Sequence, residues 1–287
     1  MHAVDAYEVW QRERGLAGSS IARTRDHLRA ILKLDGNGHR PLRWVTPKRA
    51  AEFYEAAQPN RAVDTHRNEL GCAKAWGKYC VKQGWLTTNP FSGVEAIGRR
   101  KRGKLQLHAT EARKLLDKCI EERSRESVAV ALALLLGLRA SEVAHRQVRD
   151  LDDGERLLWV PRGKTAAARR HLEVPEVLRP LLRELAGDRP GAAWLLGASD
   201  LDRPTRHWVL YNVGRLCDLA KVPVITAHGL RGTHASLATA AGATSHVVAG
   251  ALGHASTSVT EAAYIAPQAR ADSTQRAAMK VIQGGRG

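Results

Sequence analysis

Along most of the chain apolar residues recur every three or four positions, the spacing of one face of a helix. The stretch 7–14 reads as an amphipathic pair of turns ended by Gly15. Ser19 and Ser20 are the expected caps of a second helix, 21–34, which stops before Asp35, Gly36, Asn37 and Gly38. A third opens at Thr46 as N-cap with Pro47 in the first helical position, and runs to about Ala57. A fourth starts at Asp64 or Thr65 and reaches Gln83 before Gly84; Asn89 and Pro90 close this region.

The pattern changes at IGRRKRGK (97–104), which has no apolar period and reads as a linker. Helical spacing returns at TEARKLLDKCI, with Thr110 as the expected cap, and at SVAVALALLLG from Ser127 to about Gly137. LLWVP (157–161) and RRHLEVP (169–175) then flank RGKTAAA as a small antiparallel hairpin. Further helices are expected at 176–185, 206–220, 228–241, 245–251 and 268–282. Within TRHWVLYNVGRL, helical spacing predicts burial for part of the set Trp208, Tyr211, Val213 and Leu216. The expected fold is mainly α: a helical N-terminal domain (1–96), a basic linker (97–104) and a mixed α/β domain (105–287) with one small antiparallel sheet. The longest apolar run, VAVALALLL, is too short for a membrane span, and the first residues lack the apolar core of a signal peptide.

Charge narrows the choice of partner. The 287 residues hold 45 Lys plus Arg against 29 Asp plus Glu, a net of +16, which points to a polyanion, nucleic acid before an anionic membrane surface. Residues 1–105 carry 20 basic and 10 acidic side chains, so the shorter part of the chain holds most of the excess. In the linker Arg99, Arg100, Lys101, Arg102 and Lys104 are expected to strap a DNA backbone. Cys72, Cys80, Cys119 and Cys217 form no C-x-x-C pair, which argues against a zinc framework and fits a reducing, cytoplasmic setting.

HGLRGTHAS (228–236) places two histidines and an arginine on nearly one helix face. A helical metal site of the H-E-x-x-H kind needs histidines four apart with a glutamate between, and this stretch has neither, so no metal is expected. An anion site or a polar helix end remains. GLRASE sets Arg139 after the apolar helix, where a planar guanidinium suits bidentate phosphate binding, with Glu142 placed to orient or neutralise it. Lys164 stands at the hairpin tip, His254 follows a short helix in LGHAS, and Tyr264 lies in TEAAYIAP.

In this order the residues resemble the tyrosine recombinase (phage integrase) family, over about 105–266 for the catalytic part. THRNELGCAKAWGKYCVKQGWLTTNP is similar to the last long helix of that family's core-binding, SAM-like domain. The resemblance implies that Tyr264 attacks the scissile phosphorus and forms a 3′-phosphotyrosyl enzyme, helped by His228. It implies that Arg139 and Arg231 clamp the non-bridging oxygens, that His254 donates to the same phosphate, and that Lys164 protonates the leaving 5′-oxygen. It implies duplex DNA sites as partner, a homotetramer on DNA formed from free monomers or dimers, an accessory directionality factor, and neither cofactor nor membrane.

Ala227 stands where that family often has proline, Gly232 where a larger polar residue is common, and His234 is expected to pack. The chain starts almost at the first core-binding helix, so the extra arm-binding domain of many phage integrases is not expected within it, whether the recombinase is a simple one or a trimmed one. After Tyr264 the helix 268–282 is expected to dock on a neighbouring subunit. Two rivals remain: a type IB-like topoisomerase with the same cleavage chemistry, and a non-enzymatic DNA-binding regulator.

Overall fold

The helical spacing is realised in eleven α-helices and one β-hairpin among the residues that the computed structural model describes: 3–32, 41–57, 61–99, 103–152, 154–161 and 169–253. Lys164, His254, Tyr264, Arg100, Lys101, Arg102, the Asp35–Gly38 turn and the helix expected at 268–282 lie outside them. Among the described residues no helix is long and apolar enough to cross a membrane. The chain divides into two compact units, Met1–Lys101 and Arg102–Gly287.

The first unit holds α1 (Ala3–Glu13), α2 (Gly18–Ile31), α3 (Pro47–Ala57) and α4 (Val63–Lys82). Its core gathers aromatic rings: Tyr7 stacks on Trp10 at 5.5 Å and meets Tyr79 at 5.0 Å, while Trp76 meets Phe91 edge-on. His66 is buried, stacked on the Tyr54 ring at 3.7 Å with Nε2 2.6 Å from the Tyr54 carbonyl oxygen. Asn89 closes the unit, its Nδ2 donating back to the Lys74 carbonyl and its Oδ1 accepting from Phe91 N in a local turn. Ile97 N donates to Tyr54 Oη, and Arg67 donates to the carbonyls of Ala96 and Gly98, so the first linker residues are held against this unit.

The second unit holds α5 (Ala109–Glu122), α6 (Arg125–Leu135), α7 (Ala140–Ala144), α8 (Arg179–Ala186), α9 (Arg206–Leu219), α10 (Ala227–Ala240) and α11 (Ser245–Leu252). α6 is apolar all round, and a helix of that kind must be enclosed. Its residues from Ser127 to Leu134 are buried, and it packs on α5, α9 and α10. Strands β1 (Leu157–Val160) and β2 (Arg170–Glu173) pair antiparallel, Leu158 opposite Leu172 and Val160 opposite Arg170. These four side chains share the inward face.

Several caps fall elsewhere than expected. Ser19 and Ser20 lie inside the first turn of α2, because Ala17 is already extended and its carbonyl accepts from Ser20 N and Ile21 N. α4 starts one residue before Asp64, with Ala62 as N-cap. α5 begins after His108, whose N–H donates to the Glu111 carboxylate at 2.7 Å, so Thr110 is the second helical residue and not the cap. Ser124 caps α6, accepting from Ser127 N, where the helix was expected to start. Of the α9 set, Val213 and Leu216 are buried, whereas Tyr211 is 71% exposed.

Candidate active site

Where α6 ends, Gly137 turns the chain and Arg139 becomes the N-cap residue of α7. The Arg139 N–H donates to Glu142 Oε2 at 2.9 Å, and its Nη1 donates to Oε1 at 2.7 Å. Glu142 thus closes the helix start and holds the guanidinium, whose side chain remains 37% exposed. The carboxylate itself is buried at 6%. From β2, Arg170 reaches the same two oxygens at 3.4 and 3.2 Å, and from α10 Arg231 Nη1 lies 4.0 Å from Oε2. Burial alone would raise the Glu142 pKa. The hydrogen bonds and charges of Arg170, then of Arg139, outweigh it and hold the carboxyl below its usual range.

α10 brings in the second part. Thr226 caps it, its Oγ1 accepting from Gly229 N at 3.1 Å, and this sets His228 in the first turn and Arg231 one turn on. His228 is exposed, yet partial desolvation, then Arg231, Lys104 and Arg139, push its pKa below the ordinary histidine value. Its imidazole is therefore biased toward the neutral form. Arg231 is fully buried; Nη1 donates to the Gly137 carbonyl at 2.6 Å and Nη2 to the Leu252 carbonyl at 2.5 Å. This guanidinium is a fixed cation beneath the surface, where Arg139 is the one that reaches solvent. His234 packs inward near Gly137 and Leu252, and burial first of all pushes its pKa down as well.

An extended segment passes over α10 and explains its small residues. Leu107 N donates to Thr233 Oγ1 at 3.0 Å, and Ser236 Oγ donates to Gln106 Oε1 at 2.6 Å. A Cβ on Gly229 would stand 2.5 Å from the Leu105 carbonyl oxygen, and one on Gly232 would stand 3.0 Å from Gln106 Nε2. The glycine after Arg231, unusual beside the resembled family, is thus where Gln106 lies. The same crossing leads Lys104 toward His228.

The structure therefore gathers Arg139, Glu142, His228, Arg231 and Lys104 in one region from stretches distant in sequence. Arg99 is exposed on the first unit. Lys164, His254, Tyr264 and residues 100–102 are outside the described residues. Arg170 went unassigned in the sequence. The strand alternation carried the signal, since Leu172 and Val174 face inward and Arg170 is in phase with them. Among the described residues no group of His, Cys, Asp and Glu could hold a metal ion. What the arrangement can do is present positive charge, one solvent-facing guanidinium and one neutral imidazole to an anion.

A model of the phage integrase family matches residues 106–270. Among solved structures, the chain is similar to a lambda integrase dimer bound to a COC′ core site, with 19% identity, 94% of this chain and 76% of that one covered, and a TM-score of 0.73. It is similar to the Tn1549 transposon integrase in complex with transposon right end DNA, with 21% identity, 99% and 100% covered, and a TM-score of 0.75. A lambda integrase tetramer bound to a Holliday junction gives 19% identity, 89% and 77% covered, and a TM-score of 0.71. No curated protein sequence matches.

Proposed function

Since the chain belongs to the phage integrase family of tyrosine recombinases, DNA breaking–rejoining enzymes, we propose that it is a site-specific recombinase acting through a 3′-phosphotyrosyl intermediate. The observation that carries this reading is the meeting of Arg139 and Arg231 at one buried carboxylate, with His228 close enough to feel both charges. Phosphoryl transfer needs compensation of charge on the non-bridging oxygens and a route for two protons. Arg139 binds the scissile phosphate directly, and Arg231 adds a fixed positive charge from below. Tyr264 Oη attacks phosphorus and gives its proton to the neutral His228 imidazole. The P–O5′ bond breaks, and Lys164 gives the departing oxygen its proton; His254 donates to the phosphate. One phosphoester replaces another, so rejoining is the reverse step and needs no ATP.

The basic linker residues Arg99, Arg100, Lys101, Arg102 and Lys104 grip the DNA backbone between a core-binding domain and the catalytic domain. The tetramer on a Holliday junction in lambda integrase suggests the same assembly for this chain, with the segment after Tyr264 docking in trans.

The test is a nicked suicide duplex incubated with the protein in EDTA. A covalent adduct that disappears in Tyr264→Phe supports the reading; no adduct on any cognate duplex would sink it. Exchange between two DNA molecules, and not mere relaxation of a plasmid, then marks a recombinase.

A further inference from the structure

Strand β2 delivers a buried cation into the site. Arg170 is 9% exposed and occupies an inward position of β2 that apolar residues fill elsewhere on that face. Its Nη atoms bond both oxygens of Glu142, and its Nε donates to the Ala251 carbonyl at 2.7 Å. One guanidinium thus spans the carboxylate that orients Arg139 and the last turn of α11. That turn is also held by Arg231, through the Leu252 carbonyl. Gly253 ends α11, and His254 follows it in sequence.

We infer that Arg170 is a positioning residue for DNA cleavage: it sets Glu142, and through it the Arg139 guanidinium, against the scissile phosphate, while fixing the end of α11. This rests on the function proposed above. Glu142 is too deeply buried to stay ionised without strong partners, and Arg170 supplies the largest opposing contribution. Without it, Arg139, already 2.7 Å from Glu142, faces an under-compensated carboxylate and is drawn further inward, away from any phosphate. A lysine keeps the charge but has no planar fork to reach Glu142 and the Ala251 carbonyl together.

The full chain is assayed in single turnover on the suicide duplex, with either a phosphate or an uncharged methylphosphonate at the scissile position. Arg170→Lys and Arg170→Met are compared with the wild type, with melting temperature and DNA affinity measured alongside. On phosphate DNA both variants are expected to cleave about 100-fold more slowly, as for a misplaced catalytic group. On methylphosphonate DNA the gap should shrink to about tenfold or less, because an uncharged centre gains little from the guanidinium clamp. An equal loss on both substrates makes Arg170 a fold-holding ion pair only and overturns the assignment. So does wild-type cleavage in both variants. If Arg170→Met does not fold, the Arg170→Lys comparison decides alone. Wild-type protein that forms no adduct on either duplex overturns the recombinase reading, and this assignment with it; cleavage by wild type with unaffected variants overturns the assignment only.

Discussion

At the scale of single residues, Glu142 has the most to lose. It is one carboxylate facing Arg139 and Arg170 at bonding distance and Arg231 at 4.0 Å. Removing one member of a buried ionic set leaves the others uncompensated, so Glu142→Gln should cost about 3 kcal/mol of folding stability, read from denaturant unfolding. The pH dependence has a definite sign. The folded pKa lies below the unfolded one, so the stabilisation is complete above the ordinary carboxylate value near ~4.3 and is lost as pH falls from there through the lowered folded value. The wild type should lose more stability than Glu142→Gln in that acid window and in no other. His228 behaves differently, because in the base role proposed for it the charged form is the inactive one. The acid limb of the cleavage rate should lie below the ordinary histidine value of about 6.5, and Lys104→Gln should move that limb upward by removing a neighbouring cation. A limb at or above the ordinary value, or one indifferent to Lys104, would count against His228 as the base. Arg139, His228 and Arg231 could be picked from their motifs. Arg170 could not, since its partner lies on another element and only a strand parity hinted at its burial.

At the scale of elements, α10 is the piece on which the site is built. Its start was legible within one residue, because Thr226 and the polar first turn are local signals. Its small residues were not, because the reason for them is the chain at residues 105–107 lying across it. Gly229→Ala would drive a Cβ to 2.5 Å from a backbone oxygen, where no side chain can yield. A loss of about 2 kcal/mol is expected in thermal or denaturant unfolding of the catalytic unit. Gly232→Ala meets a side chain that can give way, so its cost should be the smaller of the two. An order reversed from this would mean that the segment before α5 does not lie as described. The cap errors at α2 and α5 and the late start expected for α6 share one cause. Several Ser, Thr and His residues stand near each start, and the choice is made by where the preceding chain becomes extended.

At the scale of the whole molecule, charge dominates. A net of +16 makes binding to duplex DNA a counterion-release process. Affinity for non-cognate duplex should fall by about 10³-fold or more between roughly 50 and 200 mM salt. Neutralising Arg99, Arg100, Lys101, Arg102 and Lys104 together should flatten the log–log salt slope by roughly 0.9 for each phosphate that the linker no longer neutralises. An unchanged slope, measured by titration at several salt concentrations, would mean that the linker does not touch the backbone.

The sequence alone determined the helical character, the small hairpin, the excess of positive charge and the ordered set of residues that resembles the tyrosine recombinases. All of these are written in local spacing, in composition or in the order of motifs, which survive without knowledge of any tertiary neighbour. Only the tertiary structure decided that Arg231 is buried with its fork on two carbonyls, that Arg139 is the guanidinium at the surface, and that Arg170 joins them through Glu142. Burial and partner choice depend on atoms brought together from α6, α7, β2, α10 and α11. A charge in a chain can be counted, but its surroundings exist only after folding.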